Sequence, residues 1–321
     1  LSLMPFRWQR SPDYPDNQIP EVTIMEMSSK QNSAASILLS NLPQPGFANS
    51  IRSVLRTGAI LTGLFILAAF HHLKAQDLDV PYVPTPNQVV EGMLDAADVG
   101  PGDYVIDLGS GDGRIVIAAA QRGAVGHGVD LNPERISEAE DNARAAGVTD
   151  RVMFLEGDIF ETDFSKASVI TMYLLSSVNR ELRPSLLENL RPGTRIVSHS
   201  FDMGEWEPDE ELRIDNRTVY YWVIPADVEG GWQWEANGNQ FSMSIRQQYQ
   251  NIDVNLRAGN RTLTTKEAVL NGDRMSLIIH DPNTDSRYVY SGTIEGDSIT
   301  GTVQIRENNS SHIEEWSATL D

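Results

Sequence analysis

The sequence predicts a doubly wound α/β domain followed by a small all-β barrel or sandwich. Two observations lead to this fold class. Between residues 77 and 226, apolar strand-like runs alternate with amphipathic helical segments, which is typical of βαβ units packed around a parallel sheet. Between residues 227 and 321, short segments of alternating polarity are separated by Asn-Gly, Asp-Pro-Asn and Glu-Gly-Asp turns, which is typical of an antiparallel meander.

The α/β half begins with an amphipathic helix over residues 87–97. Asn132 and Pro133 indicate the start of a later helix, because an Asn side chain caps free amides and Pro suits the first helical position. Gly147 indicates where that helix ends. Helices are predicted over residues 114–122, 133–146 and 178–190. Strands are predicted near residues 104–108, 125–130, 152–156, 168–174, 194–199 and 218–224.

The all-β half shows seven segments of alternating polarity. They lie at residues 232–234, 241–245, 252–256, 275–279, 288–290, 299–303 and 316–320. This spacing predicts seven or eight strands in a lipocalin-like barrel or a sandwich. We expect the module over 227–321 to serve interaction or stability, and a cup for a small apolar ligand is the alternative.

One loop carries most of the chemical information. Residues 104–113 read Tyr-Val-Ile-Asp-Leu-Gly-Ser-Gly-Asp-Gly, an apolar strand that runs into three glycines at alternate positions. Glycines let a backbone approach a ligand closely because they lack a Cβ atom. Since a predicted helix follows at once, the loop lies at a helix N-terminus and indicates a nucleotide-type ligand. The alternative is a glycine-rich turn that binds nothing.

The glycine spacing and a preceding acid separate two kinds of nucleotide. The dinucleotide fingerprint is G-x-G-x-x-G, whereas this loop places Gly109, Gly111 and Gly113 at alternate positions behind Asp107. A carboxylate at that position repels a diphosphate and suits a cation. The pattern therefore favours S-adenosylmethionine, which carries an ammonium and a sulfonium group and no phosphate.

Two further acids follow at the ends of the next two predicted strands. Asp130 lies about 20 residues after the loop, where a ribose-binding carboxylate belongs. Asp158 ends the third strand and could accept a hydrogen bond from an adenine amino group. Either acid alone is also explained as a helix cap or a turn former. Three acids at three successive strand ends around one glycine loop favour the cofactor interpretation.

Three motifs carry a resemblance to a known family: Pro-Tyr-Val-Pro-Thr-Pro at 81–86, Asp-Leu-Gly-Ser-Gly-Asp-Gly-Arg at 107–114 and Ser-His-Ser-Phe-Asp-Met-Gly-Glu-Trp at 198–206. Residues 80–225 resemble the class I S-adenosylmethionine-dependent methyltransferases. More narrowly, they resemble the lysine methyltransferases that modify the ATP synthase c-subunit and the adenine nucleotide translocase, with their bacterial relatives. The resemblance implies strand order 3-2-1-4-5-7-6 with one antiparallel strand, and methyl transfer to a protein lysine or another amine.

The candidate site residues fall into two groups. Those expected to bind the cofactor are Asp107, Gly109, Ser110, Gly111, Gly113, Asp130, Leu131, Gly157 and Asp158. Those expected on the side of the methyl acceptor are Tyr173, Tyr82, Asp202 and Trp206. Hydroxyl and carboxylate groups could orient an amine, while an aromatic face holds its cationic form. Core packing is the alternative for Tyr173 and Trp206, and we expect His199 to be a satisfied buried histidine.

The composition limits the classes of partner and chemistry. The formal net charge is −20, and residues 1–76 hold six Lys or Arg against four Asp or Glu, so the remaining chain carries about −22. This argues against a nucleic-acid partner, since such proteins carry basic patches. The charge serves solubility or attracts a basic protein substrate. The absence of cysteine excludes disulfides, thiolate zinc sites and cysteine nucleophiles, and the six histidines show no metal-ligand spacing.

The first 76 residues differ from the rest of the chain. Residues 1–50 are polar and aperiodic, which predicts a disordered or mis-started leader. Arg52 and Arg56 precede an apolar run over 58–70, which is typical of a signal peptide, with an uncleaved membrane anchor over 51–76 as the alternative. Basic residues before the run predict export to the periplasm or cell envelope. A cytoplasmic or mitochondrial-type membrane-associated enzyme, attached through residues 51–75, is the other interpretation.

Two classes of function remain open from the sequence. The first is an active methyltransferase that modifies a protein lysine, another amine or a small molecule. The second is a binding protein of the cell envelope that retains an inactive methyltransferase fold and makes its contacts through the all-β module. The intact set of loop glycines and strand-end acids favours the enzyme.

Overall fold

The computed structural model describes residues 82–236, 238–307 and 310–321. The leader predicted over 1–50 and the signal peptide or membrane anchor predicted over 51–76 lie outside the described residues. Among the helices that the structure describes, none has the length and apolar character needed to cross a membrane.

A seven-stranded sheet forms the α/β half. Its strands are β1 (Tyr104–Leu108), β2 (Val125–Asp130), β3 (Val152–Glu156), β4 (Val169–Met172), β5 (Arg195–His199), β6 (Glu210–Ile214) and β7 (Arg217–Val223). The order is β3-β2-β1-β4-β5-β7-β6. Strands β1 to β5 pair in parallel, and β7 is antiparallel to both of its neighbours. The predicted doubly wound fold and strand order are confirmed.

Helices connect the strands of this sheet. In the described residues they are α1 (Asn87–Ala96), α2 (Arg114–Gln121), α3 (Pro133–Ala146) and α4 (Ser176–Asn189). Helix α3 starts as predicted, since the Asn132 side chain accepts a hydrogen bond from the Glu134 amide at 2.9 Å. It ends at Gly147, whose φ of 70° is left-handed and therefore suits glycine.

The structure differs from the prediction at two places in this sheet. Strand β4 ends at Met172 rather than at residue 174, so Tyr173 lies in the connection to α4. Strand β6 was absent from the prediction, because its five residues are exposed or half-buried and show no clear apolar alternation. A tight turn at Asp215 and Asn216, with φ of 50° and 61°, pairs β6 with β7.

A second, antiparallel sheet contains the remaining nine strands. They are β8 (Gly230–Ala236), β9 (Asn239–Gln248), β10 (Asn251–Ala258), β11 (Arg261–Thr262), β12 (Thr264–Asn271), β13 (Arg274–Asp281), β14 (Ser286–Glu295), β15 (Ser298–Glu307) and β16 (Ser310–Leu320). The order is β11-β10-β9-β8-β16-β15-β14-β13-β12. The Leu263 amide donates to the Leu256 carbonyl at 2.9 Å, and Thr265 Oγ1 donates to the Val254 carbonyl at 2.7 Å. These bonds bring the two ends of the sheet together into a nearly closed barrel.

The barrel interior is a packed core. Trp234 stacks on Phe241 with ring centroids 5.3 Å apart and contacts Trp316 at 5.4 Å, while Trp232 and Leu256 are fully buried. Bulky side chains therefore fill the barrel interior. The alternative prediction placed a cup for a small apolar ligand there. The prediction also missed β11, which has two residues, and β12, where a bulge between residues 265 and 267 breaks the alternation.

Candidate functional site

The loop between β1 and α2 has a backbone that glycine accommodates best. Gly109, Gly111 and Gly113 have φ of 78°, 52° and 77°, in the left-handed region where a Cβ atom is strained. A Cβ atom on Gly111 would also lie 2.3 Å from the Tyr82 ring, and one on Gly109 would lie 2.9 Å from Leu174 Cδ2. Both the backbone and the neighbouring side chains thus require the predicted glycines.

Every backbone amide of this loop donates to an acceptor in the protein itself. The Gly109 and Ser110 amides both donate to the Val129 carbonyl at 2.9 Å. The other donors and acceptors are Gly111 to Asp130 Oδ2 (2.8 Å), Asp112 to Tyr82 Oη (3.3 Å), Gly113 to the Ser110 carbonyl (2.9 Å) and Arg114 to Asp112 Oδ1 (3.3 Å). Since these amides are paired, the loop does not present the donor cluster that a diphosphate requires.

Asp130 ends β2 directly beside the loop. Its carboxylate accepts hydrogen bonds from the Gly111 amide at 2.8 Å and from the Asn132 amide at 2.9 Å. Each carboxylate oxygen can accept a second hydrogen bond. Asp130 can therefore hold the loop and still accept from the two neighbouring hydroxyl groups of a ribose.

Asp107 lies under the loop as a buried acid. It is 2% exposed, and Thr171 Oγ1 on β4 donates to its Oδ1 at 2.8 Å. Burial raises the pKa of Asp107 to about 7, and the nearby carboxylates of Asp130 and Asp112 add to this effect, while the Thr171 hydrogen bond opposes it. The carboxyl group is thus poised to ionise when a cation approaches.

Apolar side chains follow the ends of β2 and β3. Leu131 is 41% exposed and Phe160 is 44% exposed. Asp158 accepts a hydrogen bond from the Phe160 amide at 2.9 Å, and the Gly157 amide donates to the Asp130 carbonyl at 3.1 Å. The structure thus brings together the residues predicted to hold ribose and adenine. Phe160, which was not among the predicted residues, adds an exposed aromatic ring in the connection after β3.

Tyr82, which was predicted on the acceptor side, contacts the glycine loop. Its hydroxyl accepts a hydrogen bond from the Asp112 amide at 3.3 Å, and the Arg135 guanidinium lies 5.0 Å from its ring centroid. Arg114 pairs with Asp112 at 2.6 Å and donates to the Thr85 carbonyl at 2.8 Å. The residues just before α1 are therefore bound to the loop by several contacts.

An aromatic stack marks the carboxyl ends of β4 and β5. The Tyr173 ring lies 3.9 Å from the His199 ring and 5.8 Å from the Phe201 ring, centroid to centroid. His199 and Phe201 belong to residues 199–207, which we call the acceptor segment. The predicted candidate Asp202 follows Phe201 in this segment and is half-buried. The structure thus places Tyr173 and Asp202 in one neighbourhood.

His199 is buried beneath Tyr173, and only one of its two ring nitrogens is paired within the described residues. Its Nδ1 lies 3.1 Å from Thr85 Oγ1, whereas its buried Nε2 has no hydrogen-bond partner there. Burial lowers the pKa of His199 to about 4, with a smaller contribution from Arg217. The imidazole is therefore neutral at physiological pH. The prediction of a satisfied histidine is wrong for Nε2.

The acceptor segment is held in place by side chains of α4. Asn179 Nδ2 donates to the Phe201 carbonyl at 3.1 Å and to the Asp202 carbonyl at 3.2 Å. Arg183 donates to the Met203 carbonyl at 2.8 Å. These three bonds fix the backbone around Asp202, and its Oδ1 accepts from the Gly204 amide at 3.0 Å.

Trp206 lies in the core, which was the alternative interpretation for this candidate. Its side chain is fully buried, stacks on Tyr249 at 5.8 Å and contacts Trp222 at 5.9 Å. Its Nε1 donates to Gln250 Oε1 at 2.8 Å. Because the indole is fully buried, a substrate cannot contact it. The Trp206 side chain instead anchors the acceptor segment in the core.

Replacing Asp107 by Asn will change how stability depends on pH. The folded protein holds a proton on Asp107 up to about pH 7, whereas an unfolded Asp releases it near 3.8. Wild-type stability therefore falls as pH rises through this range because the unfolded state binds fewer protons. The Asn side chain is neutral throughout this range and removes this loss. At pH 8 the free energy of unfolding of Asp107→Asn will therefore exceed that of the wild type by about 1–4 kcal/mol. Urea unfolding between pH 4 and 8 measures the difference.

The exposed acid Asp150 offers a control for the loss of one charge. Asp150→Asn removes one carboxylate from the surface, and its stability is compared with the wild type at each pH. A stability difference for Asp107→Asn that does not grow between pH 4 and 7 would contradict the raised pKa.

Comparisons with known proteins agree with this geometry. Residues 107–210 match the family model of the ANTKMT methyltransferase domain. A protein-lysine N-methyltransferase from Saccharolobus islandicus is 49% identical over 153 residues, which are 45% of this chain and 94% of that protein. A lysine N-methyltransferase of the ATP synthase c-subunit from Mus musculus is 30% identical over 169 residues, 53% of this chain and 68% of that protein.

A crystal structure of an RNA methyltransferase from Salinibacter ruber, in complex with S-adenosyl-L-homocysteine, is also similar. It is 54% identical, has a TM-score of 0.45 and covers 46% of this chain and 96% of its own. The acidic groups at Asp107 and Asp130 and the paired loop amides fit a cationic cofactor without phosphate. The 49% identity across nearly the whole Saccharolobus relative and the match of residues 107–210 to the family model confirm the predicted family. The chain belongs to the ANTKMT methyltransferases and is an S-adenosylmethionine-dependent methyltransferase.

Proposed function

We propose that the protein transfers a methyl group from S-adenosylmethionine to the ε-amino group of a lysine side chain in a protein substrate. The observation that carries this proposal is the 49% identity to a protein-lysine N-methyltransferase across 94% of that relative. The negative formal charge of −20 supports a basic protein region as the substrate, since it favours approach of a cationic chain.

The geometry of the strand ends supports the following cofactor roles. Asp130 accepts from the ribose hydroxyls, and Asp158 accepts from the adenine amino group beside Leu131. Asp107 places negative charge under the cationic end of the cofactor. The loop glycines 109, 111 and 113 permit the left-handed backbone of the loop at this site.

The acceptor side would position and desolvate an amine. When bound, S-adenosylmethionine supplies a methyl carbon that is open to direct in-line attack. The Tyr173 and Phe201 rings offer aromatic surface to the cationic amine, and Asp202 orients it. Burial of the amine lowers its pKa and favours the neutral nucleophile. The neutral His199 adds no positive charge against it. Positioning in this cleft supplies most of the rate enhancement.

We also propose that residues 51–76 bring the enzyme to a membrane. The proposal rests on Arg52, Arg56 and the apolar run over 58–70. In cell fractionation, the full chain will sediment with membranes, whereas a chain that begins at residue 77 will stay in the supernatant. Equal distribution of both chains would contradict membrane association through this segment.

Removal of the Asp130 carboxylate will weaken cofactor binding. Asp130→Ala deletes the acceptor for the ribose hydroxyls and for the Gly111 amide. We expect the Kd for S-adenosylmethionine, measured by calorimetry, to rise at least tenfold, about 1.4 kcal/mol. Asp163→Ala is the matched control, because Asp163 is also an acid that accepts from a backbone amide, that of Ser165, and it is exposed. Affinity retained in Asp130→Ala would show that the ribose assignment is wrong.

The class of methyl acceptor can be tested directly. Full-length protein is incubated with tritiated S-adenosylmethionine and either poly-L-lysine, poly-L-arginine or total RNA. We expect label on poly-L-lysine at the ε-amino group, recovered as methyllysine after hydrolysis. Tyr173→Ala should reduce this labelling at least tenfold while cofactor affinity changes less than twofold, since Tyr173 lies on the acceptor side. Labelling of RNA alone would overturn the lysine assignment.

A further inference from the structure

The turn between β9 and β10 of the barrel contacts the acceptor segment. One side chain at its tip, Gln250, forms two hydrogen bonds to that segment. Its Oε1 accepts from Trp206 Nε1 at 2.8 Å, and its Nε2 donates to the Glu207 carbonyl at 2.8 Å. Gln250 therefore holds both a side chain and a backbone group at the end of the segment.

The neighbouring Tyr249 strengthens the same contact. It has a left-handed φ of 56°, unusual for a residue with a bulky side chain, and its ring stacks on Trp206 at 5.8 Å. The Arg183 guanidinium lies 5.5 Å from the centroid of the same Tyr249 ring, and Arg183 also donates to the Met203 carbonyl. Barrel, α4 and acceptor segment thus meet at one tyrosine ring.

The turn is itself fixed to the segment that enters the barrel. Gln247 Oε1 accepts from the Val228 amide at 2.8 Å, and Gln247 Nε2 donates to the carbonyls of Ala226 and Tyr249 at 2.9 and 2.7 Å. The Ala226 amide donates to the Gly272 carbonyl at 2.8 Å. Because these bonds immobilise the turn, it can act as a fixed support for the acceptor segment.

We propose that Gln250 is a positioning residue, through which the barrel sets the conformation of the acceptor segment and hence the affinity for the methyl acceptor. This inference rests on the proposed function. Asn179 and Arg183 bind the carbonyls of residues 201–203, whereas Gln250 binds the far end at 206 and 207. The segment is thus held at residues 201–203 and again at residues 206 and 207, and Asp202 lies within the first of these two supports.

Gln250 lies outside residues 107–210, which match the ANTKMT methyltransferase domain. The Saccharolobus relative is matched over 94% of its length by 45% of this chain, which leaves little of that protein to form a nine-stranded barrel. In this chain, the barrel contacts the segment that follows β5. The glycine loop follows β1 and is bonded to the end of β2, and β4 separates β1 from β5 in the sheet order. Loss of Gln250 should therefore act on the methyl acceptor and spare the cofactor.

Graded substitutions in the full chain test the proposal. Gln250→Met keeps the length of the side chain and removes both hydrogen bonds, whereas Gln250→Glu retains an acceptor for Trp206 Nε1 and loses the donor to Glu207. Gln248→Met is the control, because Gln248 lies in the same hairpin and its side chain is exposed, whereas that of Gln250 is half-buried. The measurements are KM for poly-L-lysine, Kd for S-adenosylmethionine, and hydrogen exchange of residues 201–207.

We expect Gln250→Met to raise the KM for poly-L-lysine about five- to tenfold, in line with the loss of one or two hydrogen bonds. Gln250→Glu should have an intermediate effect, and the control should behave as wild type. The Kd for S-adenosylmethionine should change less than twofold in all variants. Hydrogen exchange at the amides of residues 201–207 should accelerate in Gln250→Met, whereas exchange in the strands of the seven-stranded sheet should stay unchanged.

The contrary results are distinct from a failure of the proposed function. Wild-type KM and wild-type exchange in Gln250→Met would overturn the positioning role. A parallel loss of cofactor affinity and faster exchange throughout the sheet would also overturn it, because that pattern reports general destabilisation. Wild-type protein that leaves poly-L-lysine unlabelled would contradict the lysine assignment, and exchange of residues 201–207 would then decide by itself whether Gln250 holds the segment.

Discussion

The cofactor side of the enzyme depends on the hydrogen bonds between the end of β2 and the glycine loop. The Val129 carbonyl accepts two loop amides, and the Asp130 carboxylate accepts a third. These bonds force the left-handed backbone at positions 109, 111 and 113, and that backbone in turn aligns β1, β2 and the start of α2. Because the amides of the loop are already paired, the groups that remain beside the loop for a ligand are carboxylates and apolar surface.

The acceptor side follows a different principle. Its segment is irregular, and side chains from two separate regions bind it: Asn179 and Arg183 from α4 at one end, and Gln250 from the barrel at the other. An irregular segment lacks the ladder of hydrogen bonds that orders a strand, so each support matters for precise placement. The barrel has a packed interior, and it contacts the acceptor segment through Gln250.

The buried acid beneath the loop illustrates a trade between stability and binding. Desolvation makes the ionised form of Asp107 unfavourable in the folded protein, while the proposed cationic ligand requires that form. The same group therefore destabilises the folded state near neutral pH and favours a cation in the cleft. A perturbed acid at a binding site is expected on these grounds.

Local sequence patterns determined the doubly wound sheet, the glycine loop, the strand-end acids and the cofactor class. They could do so because the strands carry apolar residues and each acid lies at or near the end of one. The pattern failed for β6 and β12, whose exposed or bulged residues lack alternation. Only the tertiary structure decided that Tyr82 packs on the loop, that Trp206 is core and that Gln250 reaches the acceptor segment. These contacts join residues far apart in the chain, and no local pattern records the distance between their side chains.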